Sequence, residues 1–123
     1  MKPISISDSE WQVMHLVWDR EPIATSDVVD VLEESKEWRS RTTRTLLDRL
    51  VSKGALTKRK DGKRYLYSAA VKQKDCVRQE KQSFVDRVFG GNAAAMVLNV
   101  VRDTKLSDAD IAELERLLKE KKD

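Results

Sequence analysis

The apolar spacing of this 123-residue chain predicts a mainly α-helical fold interrupted by one small β-hairpin. Three observations carry that expectation. Helix-start signatures stand at Ser7, Ser40 and Ser107, each followed by apolar residues at three- and four-residue spacing. Asp61-Gly62 lies between two short strand-like runs, the mark of a two-residue hairpin turn. Gly54 and Gly90-Gly91 stand where helices must stop.

Each element can be justified in order. Ser7-Asp8-Ser9-Glu10 fits a capping box, with Ile6 and Trp11 at the staple positions. Trp11, Val13, Met14, Val17 and Trp18 then share one helical face, and Trp11 and Trp18, seven apart, are expected in the core. Pro22 closes this region. A second helix is expected from a cap at Thr25 or Ser26 to about Glu34, with Val28, Val29 and Leu32 as its buried stripe.

The third helix takes Ser40 as N-cap and runs to Lys53, before Gly54. Thr43, Leu46, Leu47 and Leu50 fall on one side. Arg41, Arg44, Thr45, Asp48 and Ser52 fall on the other, with Thr42 and Arg49 flanking. Strands are predicted at Leu56–Lys60 and Lys63–Ser68, joined by a type I′ turn at Asp61-Gly62. Helices follow over Lys72–Phe89, Asn92–Arg102 and from Ser107 onward, with Lys119–Asp123 expected to fray.

Charge is distributed unevenly. Residues 1–38 carry three Lys/Arg and nine Asp/Glu, whereas residues 39–64 carry ten Lys/Arg and two Asp/Glu; the remainder is nearly balanced. The centre of the chain is a basic island, which attracts a polyanion more strongly than the net charge of +3 implies. A solvated basic face is the bland alternative.

The order helix, helix, helix, hairpin, helices predicts a winged helix-turn-helix DNA-binding domain over residues 1–70. A helical dimerisation domain is expected over 71–123. The first turns of a recognition helix reach base edges, so Arg39, Ser40, Arg41, Thr42, Arg44, Thr45 and Arg49 are the expected contacts. At the wing they are joined by Lys60, Lys63 and Arg64. Phe84, Val88, Val97, Leu98, Val101, Ile111, Leu114, Leu117 and Leu118 are too apolar to stand in water, and burial against a second copy is expected. The expected partners are therefore double-stranded operator DNA and a second copy of the chain. A protein-docking or RNA-binding winged helix is the alternative.

Other chemistry has little support. His15 reads as a boundary residue and Cys76 as a passive thiol; one His and one Cys cannot supply zinc-finger spacing. Asp108, Asp110 and Glu113 suit the N-terminal end of the last helix better than a metal. No phosphate loop or nucleophile motif occurs, so neither an enzyme nor a cofactor is expected. No apolar run spans a membrane, the N-terminus from Met1 lacks a signal-peptide core, and a single cysteine suits a reducing cytoplasm.

The sequence resembles the BlaI/MecI-type penicillinase repressors, a family that also includes copper-responsive CopY repressors. The resemblance rests on Ile6-Ser7-Asp8-Ser9-Glu10-Trp11, Val13-Met14, Trp18, Trp38, Thr42, Arg44-Thr45-Leu46, Arg49-Leu50 and Lys53-Gly54. It continues through Tyr65, Tyr67, Met96-Val97-Leu98-Asn99, Leu106-Ser107, Ile111 and Glu113-Leu114, and so covers essentially the whole chain. It implies a cytoplasmic homodimeric repressor on inverted repeats with TACA/TGTA-type half-sites. It also implies release by cleavage in the dimerisation region, under a membrane-bound sensor metalloprotease that responds to β-lactam.

The matching scissile bond is Asn99–Val100, where the family typically has phenylalanine after the asparagine. The family's Trp-Ser-Pro-Lys-Thr is Trp38-Arg39-Ser40-Arg41-Thr42 here, so a proline is lost and a cation gained. The cysteine-rich tail of the copper branch has no counterpart in Lys121-Lys122-Asp123, and metal sensing of that type is not expected.

Overall fold

The computed structural model describes residues 4–123; the Met1–Pro3 segment lies outside the described residues. The elements run α1 (Asp8–Arg20), β1 (Ile23–Ala24), α2 (Thr25–Lys36), α3 (Ser40–Lys53), β2 (Leu56–Asp61), β3 (Arg64–Ala69), α4 (Gln73–Phe89), α5 (Ala93–Asp103) and α6 (Asp108–Lys122). This is the winged helix-turn-helix order followed by three helices. The chain forms two compact units, which divide after Gln79 within α4.

In the N-terminal unit, α1 begins with both halves of the capping box. The Glu10 N–H donates to Ser7 Oγ (3.2 Å), and the Ser7 N–H donates to Glu10 Oε1 (2.8 Å). Helix α2 starts earlier than its side chains suggested. Its N-cap is Ala24, which has no side-chain cap bond, because the chain enters α2 directly from β1. It also runs past Glu34, ending where Glu37 adopts a left-handed backbone with φ 56°. The Glu37 N–H donates to the Glu33 carbonyl at 3.1 Å and the Trp38 N–H to the Leu32 carbonyl at 3.3 Å, so the last carbonyls of α2 are satisfied without glycine.

The sheet order is β1-β3-β2, antiparallel throughout. In the hairpin Leu56 pairs with Ala69, Lys58 with Tyr67, Lys60 with Tyr65 and Asp61 with Arg64. The turn is therefore Gly62-Lys63, one residue later than expected. Gly62 has φ +65° and Lys63 is not among the positive-φ residues, so glycine occupies the first central position of a type II′ turn rather than the second of a type I′ turn.

One core joins these elements. Val13, Met14, Leu16 and Val17 of α1 pack with Val28 and Leu32 of α2, Leu46, Leu47 and Leu50 of α3, and Leu56 and Tyr67 of the hairpin. Trp18 packs against this cluster only partly buried, and Trp11 is half-buried outside it. Both were expected inside; instead they flank exposed His15 in an aromatic row, with ring centroids 5.5 and 6.1 Å from the imidazole. The Trp18 indole N–H donates to the Val71 carbonyl (3.1 Å), and Gln79 Nε2 donates to the Ile4 carbonyl (3.1 Å). These bonds, with buried Cys76, hold the start of α4 to the N-terminal unit, so the compact unit extends beyond residue 70.

The C-terminal unit is built differently. Gly90 and Gly91 both take positive φ, and Asn92 caps α5 by accepting the Ala95 N–H at 3.0 Å. Ser107 caps α6 through the Asp110 N–H (3.0 Å), and α6 stays helical to Lys122 rather than fraying at Lys119. Among the described residues of this unit, Val85 alone is a buried apolar side chain, at 3% exposure. Neither α5 nor α6 buries any residue.

Candidate nucleic-acid interface

Helix α3 separates cleanly into two faces. Thr43, Leu46, Leu47 and Leu50 are buried, which fixes its rotation against α1 and α2. Ser40, Arg41, Thr42, Arg44, Thr45, Asp48, Arg49 and Ser52 are left exposed. Among the described residues Arg39, Arg41, Arg44 and Arg49 make no ion pair, so their charge is available to a polyanion. Asp48 is the sole acid in α3 and marks a spot where a phosphate would be repelled.

The entry to α3 differs from expectation in one respect. Arg39 is the N-cap and Ser40 is the first helical residue. No side chain caps this turn among the described residues and no acid lies in it, whereas the N-cap hydroxyls of α1 and α6 accept backbone N–H hydrogen bonds and each of those helices carries two acids in its first turn. An uncapped helix end beside three arginines presents backbone N–H groups and positive dipole to an anion. At the other end Gly54, with φ +83°, turns the chain sharply into β2, which sets the hairpin immediately after α3.

Paired hairpin residues share a face. Lys58, Lys60, Tyr65 and Tyr67 therefore lie on the core-facing side, where Tyr67 is buried but Tyr65, nearer the tip, is 40% exposed. Lys58 Nζ sits 4.8 Å from the Tyr65 ring centroid, a cation–π contact that holds both side chains. The sequence reading did not include this pair. The expected wing cations are unequal: Arg64 is engaged with Asp61 at 3.3 Å, while Lys60 and Lys63 make no ion pair among the described residues.

A second feature missed by sequence reading ties α1 to α3. Glu10 is fully buried, and its Oε1 accepts from Lys53 Nζ at 2.5 Å as well as from Ser7. Lys53 Nζ also donates to the Ser5 carbonyl at 2.8 Å. Burial pushes the Glu10 carboxyl up, but hydrogen bonds from Lys53 and Ser7, with the Lys53 charge, outweigh it and hold it below the usual carboxylate value. With a lowered folded-state value, Glu10 stabilises the fold above the usual carboxylate range and loses that contribution as pH falls through its own value. Denaturant titrations of wild type and Glu10→Gln should therefore differ at neutral pH and converge as pH falls below the usual carboxylate range. A difference that stays constant with pH would show that Glu10 does not titrate in this way.

The remaining candidates stay outside this surface. Burial, then the Asp75 charge, pushes the Cys76 thiol above its ordinary value, which disfavours the reactive thiolate. Glu113 accepts hydrogen bonds from Arg116, which hold its carboxyl below the usual value. An open groove of about 560 Å³, with His15, Trp18, Val31, Lys36 and Gln73 in its walls, shares no lining residue with α3 or the hairpin. Among the described residues no group of three His, Cys, Asp or Glu could hold a metal, and no single helix is long and apolar enough to cross a membrane.

In the C-terminal unit, Phe84, Val88, Val97, Leu98, Val101, Ile111, Leu117 and Leu118 are all exposed and Leu114 is half-buried. Asn99 and Val100 lie in the interior of α5, so the bond between them is helical.

Residues 6–120 match the family model described as penicillinase repressor. The chain is 36% identical to the penicillinase repressor of Bacillus licheniformis, over 99% of this chain and 96% of that protein. It is 32% identical to the methicillin resistance regulatory protein MecI of Staphylococcus aureus, over 98% of each. The solution structure of the monomeric form of Bacillus licheniformis BlaI in complex with the blaP half-operator superposes with a TM-score of 0.54 at 37% identity. That match covers 61% of this chain and 93% of the other.

Proposed function

The chain belongs to the penicillinase repressor family, and from that premise we propose that it is a homodimeric transcriptional repressor of inverted-repeat operator DNA. The carrying observation is α3 itself, one face locked into the core and the other an arginine-threonine surface that makes no ion pair among the described residues, behind an N-terminus with no side-chain cap. Arg41, Thr42, Arg44 and Thr45 occupy the first turns, from which base edges are read, while Arg39, Ser40 and Arg49 suit flanking phosphates. At the wing, Lys60 and Lys63 suit phosphate contact. Arg64 contributes less, because Asp61 already engages it. The monomeric BlaI structure on a half-operator supports a reading in which one N-terminal unit serves each half-site.

In this reading residues 1–70 carry the DNA-binding elements and 71–123 the dimerisation elements, with the start of α4 up to Gln79 packed as part of the N-terminal unit. The exposed apolar side chains of α4, α5 and α6 are the surface that a second copy covers. A cytoplasmic location follows from the DNA target. Relatives named for penicillinase and methicillin resistance support β-lactam, or another cell-envelope signal, as the inducing cue; a membrane-bound sensor metalloprotease as its relay is part of the proposal. Cleavage at Asn99–Val100 requires local unwinding of α5, which no contact within the chain opposes through a buried residue and which contacts with the second copy would oppose.

Binding to an inverted-repeat duplex and to a scrambled duplex, titrated across salt, tests the reading. Affinity should fall steeply with salt and favour the repeat. Arg44→Ala should weaken repeat binding by about 1–3 kcal/mol and relax discrimination at one position of the half-site. Equal affinity for the two duplexes would favour an RNA-binding or protein-docking module. An Arg44→Ala protein that binds unchanged would remove that residue from the interface.

A further inference from the structure

We propose that Glu10 and Lys53 are positioning residues for DNA recognition: their ion pair, with Glu10 buried and the Lys53 side chain 32% exposed, fixes the C-terminal end of α3 against the start of α1 and so sets how α3 enters the groove. The inference rests on the operator-binding reading.

A capping box needs no lysine. The glutamate of such a box reaches back to one backbone N–H and can do so from the surface. Here Glu10 is 0% exposed, and its one engaged oxygen, Oε1, serves two donors, the Ser7 N–H and Lys53 Nζ. The other oxygen, Oε2, is buried and has no hydrogen-bond partner among the described residues. Burying this carboxylate therefore carries a desolvation cost that Lys53 and Ser7 offset through one oxygen only. Apolar residues of similar volume often match or exceed a buried ion pair in stability, and what a pair can add is a defined geometry.

The geometry joins two helix ends. Glu10 lies in the first turn of α1 and Lys53 is the last residue of α3, so each charge also complements the dipole of its own helix end. Lys53 Nζ makes a second bond, to the Ser5 carbonyl ahead of α1. Three attachments thus hold the end of α3: Glu10, Ser5, and the leucine face in the core. Lys53 counts toward the basic island in sequence, but its ammonium, on a side chain 32% exposed, is engaged by Glu10 and the Ser5 carbonyl. It acts through the placement of α3 and not as a phosphate contact.

The test uses the full chain and three variants: Lys53→Met, Lys53→Gln and the double Glu10→Gln/Lys53→Met. Each is compared with wild type for denaturation midpoint, for binding to inverted-repeat and scrambled duplexes, and for salt slope. Lys53→Met strands a buried carboxylate and should lose stability. The double variant removes that charge and should regain most of it. Its preference for the inverted repeat should nevertheless fall about tenfold, the scale of one poorly read base pair, with the salt slope of wild type retained.

A double variant that discriminates as well as wild type would reduce the pair to a structural role and overturn the proposal. A shallower salt slope would also overturn it, by making Lys53 a phosphate contact. If the double variant does not fold, Lys53→Gln, which keeps a donor and much of the volume, is read by the same two criteria. Wild type binding both duplexes equally would reject the operator reading itself, an outcome distinct from failure of the clamp.

Discussion

Replacing Leu98 and Leu118 together by aspartate should leave the chain monomeric and weaken inverted-repeat binding by about 10²–10⁴-fold, while single half-site affinity stays nearly unchanged. Both leucines are 59% exposed, on α5 and α6 of a unit with almost no interior of its own. Because neither is buried within one chain, the substitutions cost that chain little. In a dimer each aspartate would be desolvated against apolar partners, and a buried unpaired charge is strongly unfavourable. Without the dimer, the second N-terminal unit no longer binds as an intramolecular event, and the gain from high effective concentration disappears. Sedimentation, together with titration of whole and half operators, separates the two effects. A variant that remains dimeric would remove these leucines from the interface. A monomer that still binds the inverted repeat at wild-type strength would show that recognition does not depend on pairing.

Much of the exposed α3 surface proposed to meet DNA was legible as a surface because it depends on helical periodicity and local stop signals. The wheel of α3 separated Thr43, Leu46, Leu47 and Leu50 from the arginine face, and Gly54 marked its end, as the burial and the positive φ show. Features that depend on pairing across the fold were not legible. Strand β1 has only two residues and exists because Ile23 and Ala24 pair with Tyr67 and Leu66. The hairpin turn moved by one residue because register is set by the whole ladder as well as by the Asp-Gly pair. Trp11 and Trp18 lie on the predicted face, but a wheel does not say how much material covers it. Glu10 and Lys53 are 43 residues apart, and no local pattern joins them. Glu37 holds a left-handed backbone usually given to glycine, so its sequence carried no stop signal.

Leu47→Ala should remove about 2–5 kcal/mol of stability from the N-terminal unit. Leu47 is fully buried at the middle of α3, in the cluster that joins this helix to α1 and α2. Truncation there loses apolar burial and leaves a cavity that three packed helices can close only in part. A unit of this size has a net stability of only several kcal/mol, so the loss is a large fraction of the total. Its signature differs from that of Arg44→Ala, which should weaken operator binding at unchanged stability. In Leu47→Ala the urea midpoint should fall at constant slope, while the protein that remains folded binds operator nearly as wild type does. Saturating operator should raise the midpoints of both proteins by similar free energies, since ligand linkage depends on the affinity of the folded form. The C-terminal unit shares no residue with this cluster, so the variant should still sediment as wild type does. An unchanged urea midpoint would mean that α3 is not held by this core, and the rotation that exposes Arg41, Thr42, Arg44 and Thr45 would then need another cause.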